Sequence, residues 1–219
     1  MKKIKLGLLL SLIAASNVYA MTEGPYLGLL VGQSNLHNVQ QTINTTDING
    51  NPTVATFKPS NNGFGGRLFG GYQFNSFLGF EMGFTYYTHT TYKVTSSSGA
   101  PVTCGTPSTR TDAVDIIGKG TIPAGPIGLF ATAGFAVALV NNSGILQPAP
   151  ASPNCKTKQS VIKLRPTIGI GASYDLSDSL QTQISFSRIL QGSGIRNADL
   201  IAIGISYHFV DHYCGQFLC

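Results

Sequence analysis

Charge is scarce in this chain of 219 residues: Asp, Glu, Lys and Arg make up 11% of it, and tryptophan is absent. So little charge argues against an ordinary soluble surface, which draws on a composition about one quarter charged. Past the N-terminus long apolar runs are missing too. The longest candidate, IGLFATAGFAVALV at 127–140, falls short of the ~20 residues of a helical span and contains Gly128 and Gly134. A helical membrane protein is therefore excluded. No Lys/Arg-rich stripe occurs, which leaves a nucleic-acid partner without electrostatic support. GFGGRLFGG is rich in glycine but follows a loop and reads as a strand, not as a phosphate-cradling turn into a helix.

What is present begins with an export signal. Lys2, Lys3 and Lys5 precede the apolar stretch LGLLLSLIAA, and Val18-Tyr19-Ala20 suits a signal peptidase, so cleavage is expected after Ala20. Losing residues 1–20, with their three lysines and no acid, lowers the formal charge from +5 to +2. For an exported chain this apolar, two classes remain: a soluble β-protein, or a closed barrel in an outer membrane.

Alternation of apolar and small or polar residues decides between them. In VIKLRPTIGIGASY (161–174), Ile162, Leu164, Pro166, Ile168, Ile170, Ala172 and Tyr174 share one face, opposite Lys163, Arg165, Thr167, Gly169, Gly171 and Ser173. The same split runs through 77–90, 179–188 and 201–209. Weaker strands are read at 25–33, 62–74, 111–122 and 127–141. A β-sandwich would also alternate, but its polar face would carry many charges for water. Here that face is Gly, Ser, Thr and Gln with few charges, which suits a narrow lumen. The expected fold is all-β: an eight-stranded antiparallel up-and-down transmembrane β-barrel with short periplasmic turns and long outer loops.

Connections alternate as this fold requires. Asn75-Ser76, Pro123-Ala124-Gly125-Pro126 and Asp175-Leu176-Ser177-Asp178 are the short turns; the long loops run over 34–61, 95–110, 142–160 and 190–197. The first loop is long, polar and low in charge, a composition that fits either hydrogen-bonded recognition or plain solvation. Without tryptophan, Tyr72, Phe74, Tyr86, Tyr174 and Tyr207 are expected to supply the interfacial aromatic belt.

GPYLGLLVGQS, GGRLFGGYQFNSFLGFEMGFTYY and LIAIGISYHF together resemble the small eight-stranded outer-membrane barrels of the OmpA, OmpX and opacity-protein type, over about residues 25–209. The resemblance implies the outer membrane of a Gram-negative bacterium, contact with its lipids, and a non-enzymatic role in adhesion, invasion, serum resistance or membrane integrity. It also implies assembly by the barrel-assembly machinery through closing aromatics, here Tyr207 and Phe209. Ten residues follow Phe209, whereas such chains commonly end on the aromatic. Either a short tail is tolerated or Phe217 serves instead; the tail is preferred because CGQFLC does not alternate. The expected domains are a signal at 1–20, a barrel at 21–209 and a tail at 210–219, in a monomer, with outer loops available to host or environmental ligands.

Eight strands leave an interior that side chains fill. Alternation points Arg67, Glu81, Asp115, Lys119, Lys163 and Arg165 inward, where opposite charges must pair. A structural plug of ion pairs is the expectation, and a narrow channel gated by a rearranging salt bridge is the alternative. The four cysteines, Cys104, Cys155, Cys214 and Cys219, lie outside the strands. Cys104–Cys155 with Cys214–Cys219 is the pairing that does not cross the membrane, and it suits an oxidising compartment. Cys214 and Cys219 near His208 and His212 form only an unspecific zinc pattern. Ser206 and His208 share a strand face two residues apart, but no acid accompanies them, so a lipid-modifying enzyme is the least favoured reading. No cofactor is expected, and His37 and His89 are read as surface residues.

Overall fold

The computed structural model describes residues 23–46, 49–96, 108–143, 158–192 and 196–209. The expected signal peptide, all four cysteines, His212 and the tail lie outside the described residues. Eleven strands follow in order: β1 (Gly24–Leu36), β2 (Gln41–Thr46), β3 (Pro52–Pro59), β4 (Asn62–Gln73), β5 (Leu78–Tyr86), β6 (Thr90–Ser96), β7 (Ser108–Ala124), β8 (Ile127–Ser143), β9 (Lys158–Asp175), β10 (Leu180–Ile189) and β11 (Ala198–His208).

Eight of these close on themselves. The sheet runs β7-β5-β4-β1-β11-β10-β9-β8, and β8 returns to β7, every pair antiparallel. Closure leaves no unpaired edge among the spanning strands, the condition for crossing hydrocarbon with strands. Short turns join them at one end. Between β7 and β8 the chain reverses through Gly125-Pro126, where Gly125 takes the left-handed backbone at φ 67°.

Side chains divide as the alternation requires. Ile162, Leu164, Ile168, Ile170 and Tyr174 of β9 are exposed on the outer wall, as are Ile201, Ile203, Ile205 and Tyr207 of β11. Their partners in alternation, including Thr167, Ser173, Ala202, Ser206 and His208, are buried in the lumen. Exposed Tyr72, Phe74, Phe77, Tyr174, Tyr207 and Phe209 ring the short-turn end. Tyr207 meets Phe209 edge-on at 5.2 Å, and Tyr72 lies 5.4 Å from Phe74. Tyr86, expected in the belt, is half-buried at the opposite end.

Two features depart from the sequence expectation. First, the loop read over 34–61 contains the hairpin β2–β3. The strand read over 77–90 stops at Tyr86, and the chain resumes as β6, which pairs with β3 along Ala55–Pro59 and with β7 at Thr90–Thr109 and Thr91–Ser108. A three-stranded extension thus continues the wall beyond the barrel. Its Thr-rich strands carry β propensity without an apolar stripe to announce it. Second, an apolar cluster lies in the outer half of the lumen, where Leu30, Leu36, Tyr87, Ile189, Ala198 and Leu200 pack together beside buried Ser34, Thr109 and Thr111.

Closure predicts resistance to dodecyl sulfate. Unboiled protein should migrate apart from boiled protein in gel electrophoresis, and a single unchanged band in both samples would remove the closed barrel.

Candidate functional site

The lumen charges gather on one half of the wall. Arg67 on β4 reaches Glu81 of β5 (Nη1 to Oε2, 2.8 Å) and Asp115 of β7 (Nη2 to Oδ1, 2.6 Å). Lys119, two turns of the alternation further along β7, places Nζ 3.4 Å from Glu81 Oε1. Tyr26 of β1 donates its hydroxyl to the same oxygen at 3.1 Å, and Thr85 donates to Asp115 Oδ2 at 3.3 Å. Two cations and two carboxylates balance, so the cluster adds no net charge to the interior.

The sequence makes room for it by leaving other positions bare. Gly83 of β5 stands beside Arg67: a Cβ there would sit 2.7 Å from Nε. Across the lumen, β9, β10 and β11 present Gly169, Gly171, Ser185 and Gly204 at inward positions. Aromatic faces complete the enclosure, with Lys119 Nζ 4.6 Å from the Phe130 ring centre and the Arg67 guanidinium 5.0 Å from that of Phe69. Lys119 is 2% exposed and Glu81 likewise 2%. Charges this enclosed are tolerated because every one has an opposite partner, and Tyr26 and Thr85 add hydrogen bonds to the two carboxylates.

Of the six charges expected inside, Arg67, Glu81, Asp115 and Lys119 meet in this way. Lys163 and Arg165 do not join them. Both keep the inward alternation, but β9 runs past the spanning region at its outer end, where Lys163 is exposed and Arg165 is half-buried against Gly192. Alternation assigns a face; it does not assign a depth. Tyr26 and Phe130 were not singled out by sequence, although each lies inward by alternation and an aromatic facing a lumen lysine is the pattern that would have found them.

A cavity of about 30 Å³, room for roughly two waters, lies against the outer side of the cluster, with Tyr87 and Ile189 among its lining residues. Towards the short-turn end the lumen is polar. Gln73 Oε1, Thr121 Oγ1 and both ring nitrogens of His208 are buried there without a partner among the described residues, as is Gln183 Oε1, which lines the cavity. The His208 ring stacks on Tyr26 at 4.8 Å, while Ser206 Oγ donates to Gln181 Oε1 at 3.5 Å. No hydrogen bond joins Ser206 to His208 among the described residues, so the geometry does not assemble a nucleophile with its base.

A second ion cluster stands at the outer end, above the apolar band of β10 and β11. Arg188 holds Asp199 through two bonds (Nε to Oδ1, 2.7 Å; Nη2 to Oδ2, 2.6 Å), and His37 Nε2 lies 2.9 Å from Oδ2. His37, read as a surface residue, is exposed and has this defined partner. Partial burial works against the Asp199 charge, but the bonds from Arg188 and His37 outweigh it and hold the carboxyl below the ordinary carboxylate range.

Closed topology, an apolar exterior and a narrow filled lumen define a small outer-membrane β-barrel. The family model of the OmpA-like transmembrane domain matches residues 21–212, and the chain belongs to that family. A protein of Coxiella burnetii described as uncharacterized is 27% identical over 191 residues, covering 76% of this chain and 77% of its own. Among solved structures, Neisserial surface protein A is similar with a TM-score of 0.52 at 13% identity, over 87% of this chain and 99% of that one. OprG of Pseudomonas aeruginosa is similar with a TM-score of 0.52 at 11% identity, over 88% and 99%. At such identities these two speak for the fold alone. The fold and the family place the chain in a Gram-negative outer membrane.

Two predictions follow from the clusters. Glu81→Gln strips both Arg67 and Lys119 of a buried counter-charge and should cost about 3–5 kcal/mol, seen as a lower temperature for loss of the unboiled gel form; an unchanged temperature would show the lumen charges to be solvated. Asp199 contributes stability above the ordinary carboxylate range, and this is lost as pH falls through its depressed folded value. The deficit in heat resistance of Asp199→Asn should therefore be present at neutral pH and close at low pH; a deficit independent of pH would assign it to packing.

Proposed function

We propose that the protein is a non-enzymatic surface barrel that acts by its outer end and not through its lumen, in envelope integrity or in attachment to host or environmental surfaces. The observation that carries this reading is the contrast between the two parts. The lumen is crossed by the neutral Arg67–Glu81–Lys119–Asp115 cluster beneath an apolar layer, whereas the wall is prolonged beyond the barrel by β2, β3 and β6. Chain length is thus invested where solvent and ligands are. Export with cleavage after Ala20 belongs to the same reading, and the family match beginning at residue 21 supports it. So does assembly by the barrel-assembly machinery through Tyr207 and Phe209, whose rings are exposed at the short-turn end.

A narrow channel is the second reading, favoured by the thinness of the block. The cavity, which Gln183 lines, lies on one side of the cluster and the unpartnered Gln73, Thr121 and His208 atoms on the other, so polar, hydratable space flanks the ion pairs. Exchange of the Glu81 partner would join the two.

Planar-bilayer recording of the purified chain separates the readings. The surface-barrel reading expects no discrete conductance steps, together with a gene-deletion strain that becomes detergent-sensitive or loses attachment and is not restored by a chain trimmed of residues 38–60. Regular conductance steps that rise in Glu81→Gln, with full restoration by the trimmed chain, would replace it with the channel.

A further inference from the structure

The extension inherits the two faces of the barrel wall. Where β6 joins β7, Thr90 and Thr109 face each other, both buried on the inner side, and exposed Thr91 faces Ser108, which is covered but shares the outward alternation of Arg110. Counting in twos from Thr91 puts Lys93 and Thr95 on the exterior, and β3 presents Val54, Thr56 and Lys58 there, opposite buried Thr53, Ala55 and Phe57. The exterior of the extension is therefore a continuation of the lipid-facing wall, and it looks sideways along the membrane.

On that face Lys58 and Lys93 are directly opposite each other across β3 and β6. Their Cβ atoms are about 5 Å apart in such a pairing, and like charges so placed are destabilising. Neither lysine has an ion-pair partner among the described residues, and both are exposed. Thr56 and Thr95 form the next rung, with Thr42 Oγ1 3.4 Å from Thr56 Oγ1 on the far side. No described acid lies on this face; Asp47, in the β2–β3 connection, is outside the described residues. Nor does the face hold an aromatic ring, as a nucleic-acid strand would use for stacking.

Position along the wall identifies the occupant. Phe64 marks the outermost large apolar side chain exposed on β4, and Lys58 precedes it by six residues, at most about 20 Å of strand. On the same exterior side, closer to the apolar band, Arg110 is paired with Asp112, and Arg188, over Phe186, with Asp199. The opposite end carries Glu23, Asp175 and Asp178, and no Lys or Arg among the described residues. With Arg110 and Arg188 balanced by Asp112 and Asp199, the uncompensated positive charge on the exterior face of the strands, among the described side chains, is that of Lys58 and Lys93, at the outer side of the wall.

We propose that the exterior face of the β3–β6 extension, centred on the opposed Lys58 and Lys93 with the flanking threonine hydroxyls, binds the phosphorylated saccharide headgroups of outer-leaflet glycolipid. Anionic headgroups would cancel the repulsion between the two lysines, and the hydroxyls would bond to sugar or phosphate oxygens. The proposal rests on the surface-barrel reading, because it needs the wall to stand upright among outer-leaflet lipids.

Full-length protein folded into bilayers with and without purified lipopolysaccharide tests this. Each lysine near an anionic surface is worth about fivefold in affinity, so K58Q/K93Q should weaken lipopolysaccharide binding roughly thirtyfold. K58R/K93R should retain binding, and K163Q, which alters an exposed lysine of inward alternation, should leave it unchanged. Without lipopolysaccharide, K58Q/K93Q should be at least as heat-resistant as the parent because the repulsion is gone; with it, the order should reverse. Unchanged binding in K58Q/K93Q, an equal loss in K163Q, or equal binding of dephosphorylated lipopolysaccharide would each overturn the proposal. So would tighter binding of a soluble sulfated polysaccharide, which would assign the face to an external polyanion. A barrel that keeps its heat-dependent mobility while failing these tests loses only this proposal; loss of that mobility shift would sink the barrel itself.

Discussion

Hydrocarbon offers a peptide group no hydrogen-bond partner, so a chain that crosses it with strands must return its last strand to its first. In this protein β1 pairs with both β4 and β11, and β7 with both β5 and β8, so closure takes eight strands. That number fixes the bore, and the bore fixes what can point inward. Long side chains fit there only because neighbouring inward positions are bare. Arg67 lies over Gly83 of the adjacent strand, where a Cβ would meet its guanidinium, and Gly171, opposite Phe130 on the strand next to it, leaves room for the Phe130 ring that faces Lys119. The glycines, costly to a strand in isolation, are thereby tied to the ion pairs.

Most of the barrel can be read from period-two alternation because lipid and lumen select opposite side chains at every step. β9 and β11 show this in nearly every residue, and their exposed isoleucines face outward as the pattern requires. The pattern fails where the selecting environments end. Leu36, Ile189 and Leu200 lie at or beyond the ends of the strands read from sequence, yet they turn inward and close the outer lumen with apolar packing. Lys163 and Arg165 err in the opposite sense: the alternation is right, but the strand has already left the confined interior. β2, β3 and β6 were hidden because they are short and rich in Thr, with apolar residues too few on either face to show a stripe.

The two ion clusters show how environment changes the worth of similar chemistry. Around Glu81 every charge is enclosed, so removing one partner exposes another to the full desolvation penalty. Arg188 and Asp199 make equally short bonds at the outer end, but solvent reaches the guanidinium and screens the pair, which contributes less. The inner cluster binds β1, β4, β5 and β7 together; the outer one ties β10 to β11 and, through His37, to the chain leaving β1.

A neutral inner cluster also separates the barrel's charge into two poles that cannot compensate each other through the lumen. Glu23, Asp175 and Asp178 stand at the short-turn end, while at the outer end Asp112 and Asp199 balance Arg110 and Arg188 and leave Lys58 and Lys93 uncompensated among the described residues. An isolated monomer gains nothing from this arrangement, and the facing lysines of β3 and β6 add repulsion to it. In an outer membrane the outer wall meets anionic headgroups, and the same charges become favourable. The membrane is then a structural partner of the extension as well as of the apolar band, and the unbalanced lysines are intelligible only with that partner in place.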